Sequence, residues 1–284
     1  MRSLDLVIDR PPFRELRWEK DKEIPEQYDM VQLKMDGIWG HMKIGHGQWA
    51  IYSRTGKMKA DGILEDNTIE AELLGEFMFG SHWGHKMGKN RNFYVFDCVK
   101  IGNTSTTKLT LESRLTFAKE IYEKLVGELE FIHILDTYKT HKWKDLWNDK
   151  VKKGGYEGLV FKDGSSRYLD SKAWARMKAI VEIDYICTGF RDADVGTKYE
   201  GQVGGVIGTL IDKEVMVTVS GINEDMRKSF TEYPERYVGQ VFTAKGNNWY
   251  PSGAIRHPQF IRWRTDKEPD ECSYEQIPEG IRSL

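Results

Sequence analysis

Cysteine is scarce in this chain of 284 residues: Cys98, Cys187 and Cys272 are its 3 cysteines, and they lie far apart. No Cys-x-x-Cys pair exists, which argues against structural zinc and fits a reducing, cytoplasmic compartment. Long apolar runs are missing too. No 18-residue apolar stretch could span a bilayer, and "MRSLDLVIDRPPFRELRW" lacks the apolar segment of a secretion signal. Neither sign of charge is in excess: 42 Lys+Arg meet 44 Asp+Glu, for a net charge of −2. Any phosphate-binding surface must therefore be a local basic patch. Internal repeats, low-complexity segments and a Pro/Gly-rich linker are absent. Aromatic residues are plentiful, with 9 Trp, 13 Tyr and 12 Phe in a chain that is 39% hydrophobic. That excludes disorder and can fill one large core or two smaller ones.

Two textures follow one another along the chain. Up to residue 181 the reading is mixed α+β. "VQLKMDG" and "GHMKI" (31–44), "WAIYSR", "TIEAELLGEF", "NFYVFDCVKI", "EGLVFKDG" and "AWARMKAI" read as strands. Residues 111–126 read as a helix, with Leu111, Leu115, Ala118, Tyr122 and Leu125 at helical spacing and Gly127 available as a stop. "KDLWNDKVKKGG" reads as a second helix ending on glycine. From residue 182 onward, short β-rich runs ("EIDYICTGF", "VGGVIGTLI", "EVMVTVSG", "QVFTAKG") surround one helix, "EDMRKSFTEY". Some five strands and a helix in such a length suggest a small barrel of the OB type. The expected domains are thus 1–181 and 182–284.

Lys34 raises the functional question. It stands in an alternating run, two residues before Asp36 and three before Gly37. A lysine is a poor nucleophile at neutral pH unless burial or neighbouring cations free its lone pair. Other residues with suitable chemistry follow. Arg54 in "SRTGK" can bind phosphate or ribose. Glu72 and Glu157 are carboxylates in or beside apolar strands. Phe96 can stack on a base, Lys162 ends a strand, and Arg176 and Lys178 are spaced to share one strand face. Taken singly, each is also an ordinary structural residue.

In order, they resemble the covalent nucleotidyltransferase superfamily, and most closely its ATP-dependent DNA ligases, including the small bacteriophage type. Lys34-Met35-Asp36-Gly37 is similar to the nucleophile motif, and Ser53-Arg54-Thr55-Gly56 to the one after it. Glu72 falls at the carboxylate of an Asp-Gly-Glu motif, with Glu70-Ala71 replacing Asp-Gly. Phe96-Asp97 resembles the aromatic motif. Glu157-Gly158-Leu159-Val160-Phe161-Lys162 resembles Glu-Gly-hydrophobic-hydrophobic-x-Lys, and Trp174-x-Arg176-x-Lys178 resembles Trp-x-Lys/Arg-x-Lys. Arg264-Thr265-Asp266-Lys267 resembles Arg-x-Asp-Lys, and "RHPQF" before it also looks phage-like. The resemblance spans about residues 28–268.

The resemblance implies a fold and a chemistry. The fold would be an ATP-grasp-like adenylation domain of antiparallel sheets and helices, followed by an OB-fold β-barrel. Lys34, with Asp36 in the same motif, would carry AMP. Gln32, Arg54, Glu72, Phe96, Lys162, Arg176 and Lys178 would bind ATP, with Gln32 reading and Phe96 stacking on adenine. Glu72 and Glu157 would place Mg²⁺ or Mn²⁺. Arg264, Asp266 and Lys267 would serve the first step. The substrate would be nicked duplex DNA, handled by a monomer through its own two domains without zinc or a membrane, in the cytoplasm (a host's, if the chain is viral). Messenger-RNA guanylyltransferase and RNA ligase are the alternatives within the superfamily. One departure stands out: Trp39 occupies the place of the arginine in Lys-x-Asp-Gly-x-Arg.

Overall fold

A computed structural model describes residues 9–277 apart from 10, 18–19, 22, 79–90, 155, 214, 248, 251 and 253. It divides into two compact units, Met1–Lys178 and Ala179–Leu284.

The first unit holds two sheets. Sheet I has the order β1-β12-β11-β2-β10, built from β1 (Phe13–Leu16), β2 (Met30–Lys34), β10 (Tyr138–Lys139), β11 (Gly158–Lys162) and β12 (Trp174–Lys178). Its ladders are antiparallel except for β1, which lies parallel to β12. Sheet II has the order β5-β4-β3-β6-β7-β8: β3 (Ile38–Gly45), β4 (Gln48–Ser53), β5 (Met58–Ile63), β6 (Ala71–Phe77), β7 (Phe93–Ile101) and β8 (Thr104–Ser105). The short β9 (Ile132–Ile134) lies parallel to β7. β5 is missing from the sequence reading because "MKADGI" carries Lys, Asp and Gly and no apolar alternation.

Helix α1 (Leu111–Leu125) covers one face of sheet II. Thr110 caps it by accepting a hydrogen bond from the Ser113 amide. Its buried stripe is Leu111, Arg114, Ala118, Ile121 and Leu125, so the stripe is rotated slightly from the expected one, with Leu115 and Tyr122 at its margin. Ala118, Ile121 and Leu125 pack on Met42, Ile51, Leu73, Phe93 and Val95. Arg114 belongs to the stripe because its guanidinium grips the fully buried Asp97 at 2.8 and 3.1 Å and also donates to the carbonyls of Leu109 and Ser166. A buried pair with every polar atom engaged locks α1 to β7. The second helix, α2 (Trp143–Leu146), continues as π-helical turns over Trp147–Lys153. Gly154 follows it, and Gly155 of the expected stop lies outside the described residues.

The second unit is one antiparallel sheet of order β15-β14-β13-β16-β17: β13 (Val181–Asp192), β14 (Val203–Thr209), β15 (Val217–Val219), β16 (Val241–Gly246) and β17 (Gln259–Trp263). A parallel bridge between Ser220 and Gln259 joins the two edges. Helix α3 (Glu224–Glu232), capped by Asn223, falls between β15 and β16. Five strands, closure of the third onto the fifth, and a helix between the third and fourth make an OB barrel. Tyr185, Val206, Val219, Phe242, Phe260 and, from α3, Phe230 fill it. The long β13 turns from β16 to β14 through a bulge at Cys187–Gly189. Among the described residues, no helix is long and apolar enough to cross a membrane.

Candidate active site

The registers of sheet I explain why distant motifs meet. Lys34 stands opposite Gly158, which stands opposite Lys178. One row along, Gln32, Val160, Arg176 and Glu15 are aligned. The next row is Met30, Lys162, Trp174 and Phe13. Alternate residues of a strand share a face, so these rows form one face of the sheet. The spacing of two between Arg176 and Lys178 thus gives the shared face expected of it.

Two glycines make the arrangement possible. A Cβ on Gly158 would lie 2.0 Å from the Met177 carbonyl oxygen, so only glycine fits between the two lysine-bearing strands. At Gly37, just after the nucleophile strand, a Cβ would lie 2.6 Å from the Phe77 carbonyl oxygen and 2.9 Å from Met78 Sδ. Close approach to β6 therefore requires the glycine of Lys-x-Asp-Gly. Asp36 is half-buried in the bend between β2 and β3.

Glu157, immediately before β11, ties the first row together. One carboxylate oxygen accepts from Lys34 Nζ and the other from Lys178 Nζ, the latter at 2.9 Å. Burial pushes the Glu157 pKa up, but the two ammonium groups outweigh it and hold the carboxyl below its usual range. Around Lys34 lies a cleft lined by Gln32, Phe96, Trp39, Glu76, Lys162 and Trp174, among others. Gln32 is buried and donates to Thr137 Oγ1 at 2.9 Å. Phe96 packs edge-on to Trp174, with ring centroids 5.7 Å apart. Lys162 is fully buried, donating to the Phe96 carbonyl at 3.2 Å with its ammonium 3.9 Å from the Trp174 ring centroid. Burial pushes its pKa down to about 7, the Asp97 charge opposing and the Arg114 charge assisting. Arg176 is held by Glu15 of β1 and lies over the Phe13 ring.

Glu72 does not join this group. It sits farther along β6, where its carboxylate meets His41 at 2.8 Å, Lys100 at 3.4 Å and Lys43 at 3.9 Å. Burial raises its pKa, yet the His41 hydrogen bond and the neighbouring charges win and hold it at about 2. The β6 carboxylate in the Lys34 cleft is Glu76, which accepts from the Gly37 amide at 3.2 Å. The signal was in the sequence: Gly75-Glu76 keeps the Gly-Glu of the family motif that Ala71-Glu72 lacks. Arg54 is exposed in the tight turn Ser53–Lys57, outside the cleft lining. Trp39 is buried in the cleft wall, edge-on to His41, and its indole N–H has no acceptor among the described residues.

In the second unit, Arg264 follows β17. Its guanidinium chelates Asp266 at 2.8 and 2.9 Å and donates to Asp184 at 2.9 Å. Lys267 donates to the same Asp184 oxygen at 2.9 Å. The hydrogen bonds from Arg264 hold Asp266 at about 2.

Residues 80–178 match the family described as "ATP dependent DNA ligase domain". The chain carries an ATP-dependent DNA ligase domain. The match covers the strands bearing Phe96, Glu157, Lys162, Arg176 and Lys178, and Lys34 lies upstream of it. The architecture around the ligase domain agrees with solved structures. The one described as "Pmar-Lig_Pre." is 18% identical with a TM-score of 0.64, over 84% of this chain and 64% of that one. "Pmar-Lig_PreS3" is also 18% identical at a TM-score of 0.64, over 88% and 67%. A structure from a study of DNA binding by Lig E DNA ligases with a minimal scaffold is 15% identical at a TM-score of 0.64, over 90% of this chain and 100% of that one. The chain thus spans about two thirds of the length of the first two. At such identities the likeness establishes the fold. No curated protein sequence matches the chain.

Proposed function

We propose that the protein seals nicks in duplex DNA at the expense of ATP, through a lysyl-AMP intermediate on Lys34. The observation that carries this reading is the row Lys34–Gly158–Lys178 bridged by Glu157: a lysine in a cleft, beside a second cation and under a buried carboxylate. In the first step, Lys34 Nζ attacks the α-phosphorus of ATP. Nζ gives up one proton to free its lone pair and a second once the P–N bond forms, both passing to solvent, and the P–O bond to pyrophosphate breaks. In the second, an oxygen of the nick's 5′-phosphate attacks the AMP phosphorus and releases the lysine. In the third, the 3′-hydroxyl attacks the 5′-phosphorus, closes the phosphodiester and expels AMP.

Such transfers need positioning and charge neutralisation more than acid–base groups. Lys178 and Arg176 neutralise phosphate oxygens. Phe96 and Trp174 form the apolar wall for adenine, and Gln32 offers a fixed amide beside it. Arg264, Asp266 and Lys267 serve pyrophosphate departure. Glu157 and Glu76 are hard oxygen donors of the kind Mg²⁺ or Mn²⁺ takes, one or two at a time, along with substrate phosphates; both Glu157 oxygens are engaged by Lys34 and Lys178, and no cluster of three or more ligating side chains occurs among the described residues. When bound, the metal would offset charge on the transferring phosphoryl group. These two residues, with Glu76 in place of Glu72, are its proposed holders.

Incubation with labelled ATP or GTP, denaturation, and then a nick-sealing assay on DNA, RNA and hybrid duplexes test the reading. Retained label from ATP and sealing of nicked DNA are expected. Label from GTP alone would mean a capping activity, and sealing confined to RNA an RNA ligase.

A further inference from the structure

Arg264 and Lys267 are two cations that end on one oxygen, Asp184 Oδ2, at 2.9 Å each. Asp184 itself is held from three directions. Its other carboxylate oxygen accepts from the buried Thr243 hydroxyl at 2.5 Å. Its backbone amide and carbonyl are both taken by the Gln276 side-chain amide, at 3.1 and 3.0 Å. Its strand, β13, is paired with β16 at Asp184↔Thr243. The side chain is largely buried. A carboxylate fixed so firmly is an anchor for the groups that bind it.

From this geometry we infer that Asp184 is a positioning residue that holds Arg264 and Lys267 side by side as a preformed cation pair for the departing pyrophosphate. The inference rests on the function proposed above and deepens it. Without a shared anion, an arginine and a lysine three residues apart would repel and splay. With it, both are fixed and still have donors to spare. A guanidinium has five N–H groups, of which three are used on Asp184 and Asp266; an ammonium has three, of which one is used on Asp184. Among the described residues, four donors remain for anionic oxygens. Asp184 and Asp266 balance the two cations, so the pair can stay assembled without a ligand. The hydrogen bonds from Thr243 and Lys267 outweigh the burial of Asp184 and keep it ionised.

Asp184→Asn is the decisive variant, because it keeps the shape and removes the charge. Self-adenylylation at saturating ATP should fall roughly tenfold, the order expected for loosening one oriented donor pair. The KM for ATP should not rise, since the variant gains net positive charge. Sealing of a nick that already carries AMP should proceed at the wild-type rate, and Asp184→Glu should recover part of the first step. Independently of activity, the Arg264 Nη–H signals in ¹H–¹⁵N NMR, which report the bond to Asp184, should be sharp in the wild-type chain and broadened in Asp184→Asn. Unchanged self-adenylylation, equal loss in both assays, or an unchanged Arg264 signal would each overturn the inference. Wild-type protein that takes no AMP from ATP would instead overturn the proposed function, while the NMR arm would still decide whether Asp184 holds the pair.

Discussion

The side chain of Lys34 is ion-paired with Glu157, 123 positions later in the chain, because β2 and β11 are neighbours in sheet I and Gly158 lies opposite Lys34. That pairing depends on the absence of a side chain at Gly158. Gly158→Ala would set a methyl 2.0 Å from the Met177 carbonyl oxygen, so β11 and β12 must part. We expect a loss of about 1–3 kcal/mol of stability, as for overpacking. Self-adenylylation should fall as well, because the same shift moves Glu157 away from Lys34 and Lys178. Urea denaturation and an adenylylation assay measure the two effects.

The two carboxylates of β6 should separate cleanly. Glu76→Ala is expected to fold and to lose self-adenylylation by roughly 100-fold, the order for one charge-positioning group. Glu72→Gln should retain adenylylation. Its effect should lie in stability against acid. The folded pKa of Glu72, about 2, lies below its ordinary 4.5. Its ion pairs therefore stabilise the fold fully above about pH 4.5, and that contribution is lost as pH falls towards 2. Between those limits wild-type stability should fall more steeply than that of Glu72→Gln. A Glu72 variant with no adenylylation at neutral pH would restore that residue to the site.

Part of the candidate site is readable from sequence because strand alternation is strict. The spacing of two puts Arg176 and Lys178 on one face of β12, and the registers of β2, β11 and β12, which no local pattern shows, align Lys34, Gln32 and Lys162 with them. Parity fails at β6 for the same reason: Glu72, Leu74 and Glu76 share one face, so alternation cannot choose between the carboxylates. What brings Glu76 and not Glu72 to the Lys34 cleft is where β6 passes Gly37, a long-range contact. The parallel β1 has no local signal either. "FREL" is short and half charged, and becomes a strand only because Phe13 and Glu15 pair beside Trp174 and Arg176. Asp184 looks like any strand carboxylate until Arg264 and Lys267, 80 and 83 positions away, fold onto it.

Trp39 tests how a buried indole replaces the family's arginine. Its N–H lies in the cleft wall with no acceptor among the described residues, a condition that costs about 1–3 kcal/mol unless a ligand supplies one. Trp39→Phe keeps the ring packing and removes the donor. It should weaken ATP binding by up to about tenfold, measured by calorimetry, with little change in Tm. Trp39→Arg places a charge beside Leu74, Phe96 and Trp174 and should lose both stability and adenylylation. Tighter ATP binding by a folded Trp39→Arg would show that the arginine position is simply vacated here.

Arg264→Ala and Lys267→Ala should slow self-adenylylation by roughly 100-fold, as loss of one charge-stabilising donor does. Both should still seal a pre-adenylylated nick. Equal losses in the two assays would assign the motif to folding or DNA binding.

The most direct test is intact-protein and peptide mass spectrometry after incubation with ATP and Mg²⁺. The account predicts one added AMP, located on Lys34, sensitive to acid as a phosphoramidate, and absent from Lys34→Ala. No adduct on the wild-type chain, or an adduct on any other residue, would contradict it.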